Sequence, residues 1–250
     1  MPQCPFCTES AKTNEDVWPL WLIQLVGGTR PRTDIRNKRG GVARSWNDPR
    51  VKVKVCKGCN NGWMSDLEQR AKPLIASMAR GAACHIAPGE ARVLAAWAVK
   101  AAMLFEYASS RDGLFYQQSD RAHLKENGEP PTGTAVWLGV AMRSSHHVVY
   151  AFGGEQQHAI PVLGAVRAFN PTIVIGHLAL QVLSLRFERS WLPVEERPQR
   201  QTVATNPSSL VSIWPCHLGD EAISWPPRRV LVGPRQFEGL AARFDFPVTR

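Results

Sequence analysis

The chain has 250 residues, 44% of them hydrophobic and 20% charged, and a formal net charge of +9. This length supports one large domain or two smaller ones around a buried core, and the composition excludes a disordered chain. Met1-Pro2-Gln3-Cys4 leads into a cysteine motif with no apolar segment before it, and the longest uncharged stretch, 168–185, contains Asn170, Pro171, His177 and Gln181. Neither a signal peptide nor a membrane span is therefore expected, which predicts a soluble, cytoplasmic protein.

The first region, 1–80, opens on Cys4-Pro5-Phe6-Cys7 and holds a second pair, Cys56-Lys57-Gly58-Cys59, after 48 intervening residues. Each Cys-x-x-Cys turn can present two thiolates, and two such turns complete a tetrahedral Cys₄ zinc site. The long insertion does not forbid this, because loop-closure entropy grows slowly with length. Disulfides are disfavoured in a cytosolic chain, and a redox Cys-x-x-Cys would not need to occur twice. With all four positions filled by protein, such a zinc is structural rather than a Lewis acid. Cys84 and Cys216 are spare and read as buried apolar residues.

Residues 1–80 carry 14 Lys and Arg against 7 Asp and Glu, whereas 81–250 carry 16 against 14. Ten of those basic residues fall within 29–57: Arg30, Arg32, Arg36, Lys38, Arg39, Arg44, Arg50, Lys52, Lys54 and Lys57. A basic zone bracketed by cysteine pairs fits a face for a polyanion, the alternative being a solvated loop with incidental charge. Ser65 and Glu68 have the spacing of a capping box, predicting a helix from about Asp66 with Leu67, Ala71, Leu74, Ile75 and Met78 on one face. Pro73 should kink or restart it. Trp18, Trp21 and Leu22 read as core residues rather than a stacking platform for bases.

Gly81–Gly89 looks like a joint, and 90–250 is predicted to be an α+β domain of unassigned role. Glu90–Ser110 is apolar nearly all round, as a central buried helix would be. Lys125–Thr134 reads as a loop, and Thr134–Met142, Val148–Phe152, Thr172–Ile175 and Leu178–Phe187 as strands. Pro193–Ser209 is expected to be an exposed loop. The histidines, His146-His147, His158 and His177 among them, form no catalytic set.

Between the cysteine pairs lies Glu15-Asp16-Val17-Trp18-Pro19, and after the second pair comes Asn60-Asn61-Gly62-Trp63. Over residues 4–75 this arrangement resembles the zinc-containing branch of the HNH, or ββα-metal, endonucleases. In that family an acid–His–x–x–Pro segment follows the first cysteine pair, and Asn or His opens a helix after the second. The resemblance implies a small zinc-stapled ββα module cutting DNA with Mg²⁺ or Mn²⁺. Glu15 and Asn60 would be ligands of that ion, Asn61 an alternative to Asn60, and Asn47 the family's middle asparagine. Oxygen ligands of this kind suit such an ion.

The position of the family's catalytic histidine falls on Asp16, and no histidine precedes His85. Aspartate is a weaker proton acceptor than imidazole. Two further functions therefore stand beside the endonuclease: a catalytically silent module that binds DNA or RNA, and a zinc-held scaffold for other proteins.

Overall fold

The computed structural model describes residues 2–27, 33–36, 42–46, 51–109, 113–141, 149–152, 155–160, 164–187, 210–215 and 222–227. Lys52, Val53, Lys54 and Val55 alternate charged and β-branched side chains, the period of a strand with one buried face. They form β4 (Lys52–Val55), with both valines buried and both lysines exposed. β4 pairs antiparallel with β1 (Thr13–Asp16), whose own residues have little strand preference. The register sets Thr13 against Val55 and Asp16 against Lys52. Helix α1 (Leu20–Leu25) and the antiparallel pair β2 (Thr33–Arg36) and β3 (Val42–Trp46) lie between them in the chain.

From β4 the chain passes directly into helix. Cys56 caps a short turn, α2 (Lys57–Cys59); a wide π-turn follows at Asn60–Met64, kinked at Gly62, and then α3 (Ser65–Ala79). The expected capping box at Ser65 and Glu68 does not form. A capping box satisfies the orphan N–H groups of a helix start, and here the preceding turns already do so. Ser65 Oγ instead accepts from Gln69 Nε2 at 3.3 Å, and Glu68 turns toward the core. Nor does Pro73 end the helix, which keeps Leu67, Ala71, Ile75, Met78 and Ala79 buried along one face; Leu74 is half-buried.

The predicted joint contains a strand, β5 (Cys84–Ile86), which pairs with β13 (Ile223–Trp225). α4 (Pro88–Ser109) then runs through the middle of the molecule. It packs against α3 and β4 on one side and against the main sheet on the other, which explains its nearly continuous apolar surface. α5 (Gln118–Asn127) was not legible as a helix; Gln117 and Asp120 box its start, and Gly128 ends it at a positive φ of 64°. The loop expected from Lys125 therefore begins about one turn later.

Among the described residues the main sheet has seven strands. β12 (Leu210–Trp214), β6 (Thr134–Val140) and β11 (Leu178–Phe187) lie side by side. The far edge of β11 is shared: its first half pairs with β10 (Thr172–Ile175), its second with β9 (Gly164–Phe169). β7 (Val149–Phe152) extends the β10 branch and β8 (Glu155–Ile160) the β9 branch. β10 and β11 fall on the predicted spans and β6 and β7 within a residue or two of theirs. Cys216, His146-His147 and the 193–209 loop lie outside the described residues. Helices and antiparallel strands together make the fold α+β.

One cluster of buried side chains runs from Cys4 through α3 and α4 to Trp225, so the core continues across 81–89. Two of the contacts that fasten the N-terminal region to the rest lie at the end of α3 and in the first cysteine turn. The His177 backbone N–H donates to Ala79 O at 3.0 Å at the end of α3. A Cβ on the adjoining Gly176 would lie 2.3 Å from that same oxygen, so only glycine fits. Arg121, 6% exposed, donates to Tyr116 O at 2.6 Å and to Pro5 O at 2.9 Å, inside the first cysteine turn. Replacing Arg121 by alanine leaves two buried carbonyls without their donor. Urea unfolding should show a loss of about 2 kcal/mol. Arg92→Ala, at an exposed pair with Glu129, should lose less than about 1 kcal/mol. Among the described residues no helix is long and apolar enough to cross a membrane.

Candidate metal centre and the strand face beside it

The two cysteine turns meet. The sulfur atoms of Cys4, Cys7, Cys56 and Cys59 all lie within 4.8 Å of one another. Cys7 Sγ is 3.5 Å from Cys56 Sγ and 3.7 Å from Cys59 Sγ. A tetrahedron with zinc–sulfur bonds of about 2.3 Å puts its sulfurs about 3.8 Å apart. These separations fit a shared ion and are far too long for a disulfide. Local backbone bonds shape the first turn: Cys4 N donates to Glu9 O at 2.8 Å and Cys7 N to Cys4 O at 3.3 Å. In the second, Cys56 Sγ accepts from Cys59 N at 3.3 Å at the start of the helix.

Burial pushes the Cys7 and Cys59 thiols above their ordinary value. It acts on Cys56 too, but the Cys59 backbone N–H and the neighbouring sulfurs offset it and hold that thiol low. Four thiolates so close together need a countercharge, and a dication supplies one. The donor set therefore fits zinc, held by Cys4, Cys7, Cys56 and Cys59.

The residues to which the resemblance gives a catalytic ion are dispersed by the strand pleat. Directly opposed residues of an antiparallel pair share a face, and neighbours along a strand do not. Glu15 opposes buried Val53 and points inward; Asp16 opposes exposed Lys52 and points outward with Asn14 and Lys54. Glu15 Oε1 accepts from Lys100 Nζ at 2.9 Å. Lys100, on α4 and 1% exposed, also donates to Glu68 Oε1 at 2.7 Å. Glu68 in turn accepts from the indoles of Trp97 and Trp21, each at 2.8 Å. Burial lowers the Lys100 ammonium, but the Glu68 and Glu15 carboxylates outweigh it and leave its pKa raised.

Asn60 spends its amide N–H groups on Asn14 O at 3.0 Å and Thr13 Oγ1 at 3.1 Å, tying the helix start to β1. Asn61 is exposed. Among the described residues, the cysteine cluster alone gathers three or more Cys, His, Asp or Glu side chains at metal-binding distance. Of the predicted polyanion contacts, Lys52 and Lys54 stand on the outer face of β4. Arg36 and Arg44 lie on β2 and β3, and Arg30, Arg32, Lys38, Arg39 and Asn47 fall outside the described residues.

Sequence reasoning missed Lys100 as the partner of Glu15, and with it the bonds from Lys100 and Trp97 to Glu68. Their signal was present: Lys100 interrupts the apolar middle of a helix that has no solvent face to give it. His177 hydrogen-bonds through Nδ1 to Ala141 O at 3.1 Å and serves the turn between β10 and β11. No protein-family model, curated protein or solved structure matches the chain.

Proposed function

We propose that this chain is a zinc-stapled nucleic-acid-binding protein, whose β1–β4 hairpin and following helix act as an HNH-like ββα unit that docks on DNA without cutting it. One observation carries this reading. Glu15 is directed inward onto the Lys100 ammonium, while Lys52 and Lys54 stand outward on the same hairpin. In this reading the inward face is committed to the fold and the outward face to phosphates. Zinc on the four cysteines holds β4 against the first cysteine turn and supplies no chemistry to a substrate. Lysines that touch phosphate give affinity and register with little choice of sequence.

The test is binding of duplex DNA by the zinc-loaded protein as a function of salt. Lys52→Gln with Lys54→Gln should weaken binding across unrelated sequences and reduce the salt slope by about 2, one for each phosphate no longer neutralised. A double variant with the wild-type slope would remove this face from the interface. No binding even at low salt would favour a protein-interaction scaffold.

Hydrolysis is the second reading, favoured by the placement of Asp16 on the outward face beside Lys52. Here Asp16 would take the role of the missing histidine near an Mg²⁺ or Mn²⁺ ion, with Asn60 contributing from the helix start. Metal-stimulated nicking of supercoiled plasmid that Asp16→Ala abolishes would establish it; the binding reading expects no nicking.

A further inference from the structure

The outward face of the β1–β4 hairpin is divided by strand. β4 contributes Lys52 and Lys54, both exposed; β1 contributes Asp16 directly opposite Lys52 and Asn14 directly opposite Lys54. A face that gripped phosphates alone would gain from cations on both strands. Here one strand carries a carboxylate, which repels phosphate, and an amide, which adds no charge. A carboxylate facing nucleic acid is satisfied where it accepts a hydrogen bond from an amino group. Base edges in the grooves of duplex DNA offer such groups, and the phosphate backbone does not.

The hairpin also has the form and the stiffness that base reading requires. Among the described residues it is a two-stranded ribbon, an element that the major groove admits. β1 is held on both sides of the two residues. Thr13 Oγ1 donates to Val55 O at 3.0 Å across the ribbon, and Asn14 O accepts from Asn60 Nδ2 at 3.0 Å at the helix start. Beyond Asp16, Val17 N donates to Val51 O at 2.8 Å and continues the ladder. Side chains on such a backbone keep their aim better than side chains on a loop. Asn14 and Asp16 stand about 7 Å apart along the strand, which is about two base-pair steps of a duplex.

We infer that Asn14 and Asp16 are specificity-determining residues, reading base edges in the major groove of duplex DNA while Lys52 and Lys54 hold the adjoining phosphates. An asparagine amide matches the N7 acceptor and N6 amino donor of adenine, and an aspartate carboxylate accepts from the N4 amino group of cytosine. The preferred site should therefore hold an adenine and a cytosine about two steps apart. This role rests on the DNA-binding reading of the same hairpin and goes beyond it in assigning a choice of sequence.

The test is selection of bound duplexes from a randomised pool by the zinc-loaded protein, then affinities for the selected site and its single-base changes. Changing either base should weaken wild-type binding by roughly 10- to 100-fold, the range of one such contact. Asn14→Ala should lose the preference at the adenine and keep that at the cytosine. Asp16→Asn should exchange cytosine for adenine at its position, a change of choice that loosened structure alone would not give. Lys54→Gln should weaken every duplex alike. If a variant does not fold, the wild-type protein decides the matter with 7-deazaadenine, which lacks the N7 acceptor, placed in the selected site. Weaker binding supports the contact, and undiminished affinity overturns it. A selected site whose preferences both β1 variants retain overturns the inference. So does salt-sensitive binding with no sequence selected, which leaves the phosphate contacts standing. No duplex bound even at low salt removes the DNA-binding reading as well.

Discussion

Stripping zinc with a chelator under reducing conditions should lower the melting temperature by more than about 10 °C, as a loss of roughly 5 kcal/mol does in a chain of this size. The four sulfurs join the segment before β1 to the segment after β4, closing a loop around the whole basic insertion. Without an ion, mutual repulsion and burial oppose thiolate formation, so the two turns lose their common partner. The effect should spread inward, because Cys4, Cys56 and Cys59 are themselves buried in the main core cluster with Val55, Phe6 and Met64. It should reach outward as well: β4 ends at Val55, next to Cys56, so apo protein should bind DNA less tightly. Cys56→Ala should reproduce the loss in zinc-containing buffer, and Cys84→Ala should not, since Cys84 lies on β5 outside the cluster. Metal analysis of purified protein showing no zinc, with a melting temperature indifferent to chelator, would remove the metal from the account.

The sequence made the cysteine site legible because its chemistry is local: two short turns with fixed ligand spacing need only be brought together. Strands buried on both faces, such as β10 with Thr172–Ile175, were legible for a similar reason, since an apolar branched run has few other uses. β1 was not, because Thr-Asn-Glu-Asp becomes a strand only when β4 pairs with it from the far side of the insertion. The alternation in Lys52–Val55 could have disclosed β4, but the density of charge around it pointed to binding rather than to pleat. The start of α3 was legible to within a residue, at Ser65 against about Asp66, but its cap was not, because a Ser-x-x-Glu pair is also an ordinary pair of helical residues when a turn precedes it. Face assignment was the largest omission for function. Glu15 and Asp16 are adjacent in sequence and opposite in direction, a consequence of strand geometry that motif matching ignores.

Lys100→Met should be among the most damaging single substitutions away from the cysteine cluster, costing about 3–5 kcal/mol in unfolding by urea. Methionine fills a similar volume, but it leaves the Glu15 and Glu68 carboxylates close together with only the Trp21 and Trp97 indoles to answer one of them. Their side chains are 12% and 16% exposed, too little for water to replace the ammonium. Glu15→Gln removes one charge and keeps an oxygen for Lys100, so its loss should be smaller, about 1–2 kcal/mol. Asp16→Ala, on the outer face, should stay within about 0.5 kcal/mol of wild type. In the wild-type protein the folded-state pKa of Lys100 is raised. Its contribution is therefore complete below the unfolded value of about 10.4 and is lost only as pH rises through the folded one. Titration of this group should thus leave stability unchanged across the neutral range. In Lys100→Met, stability within about 1 kcal/mol of wild type would mean that the site tolerates an apolar replacement, as some buried ion pairs do. The contrast also governs any test of cleavage. Activity lost with Glu15→Ala would report a damaged core as readily as a missing ligand, whereas activity lost with Asp16→Ala in a stable protein would report chemistry.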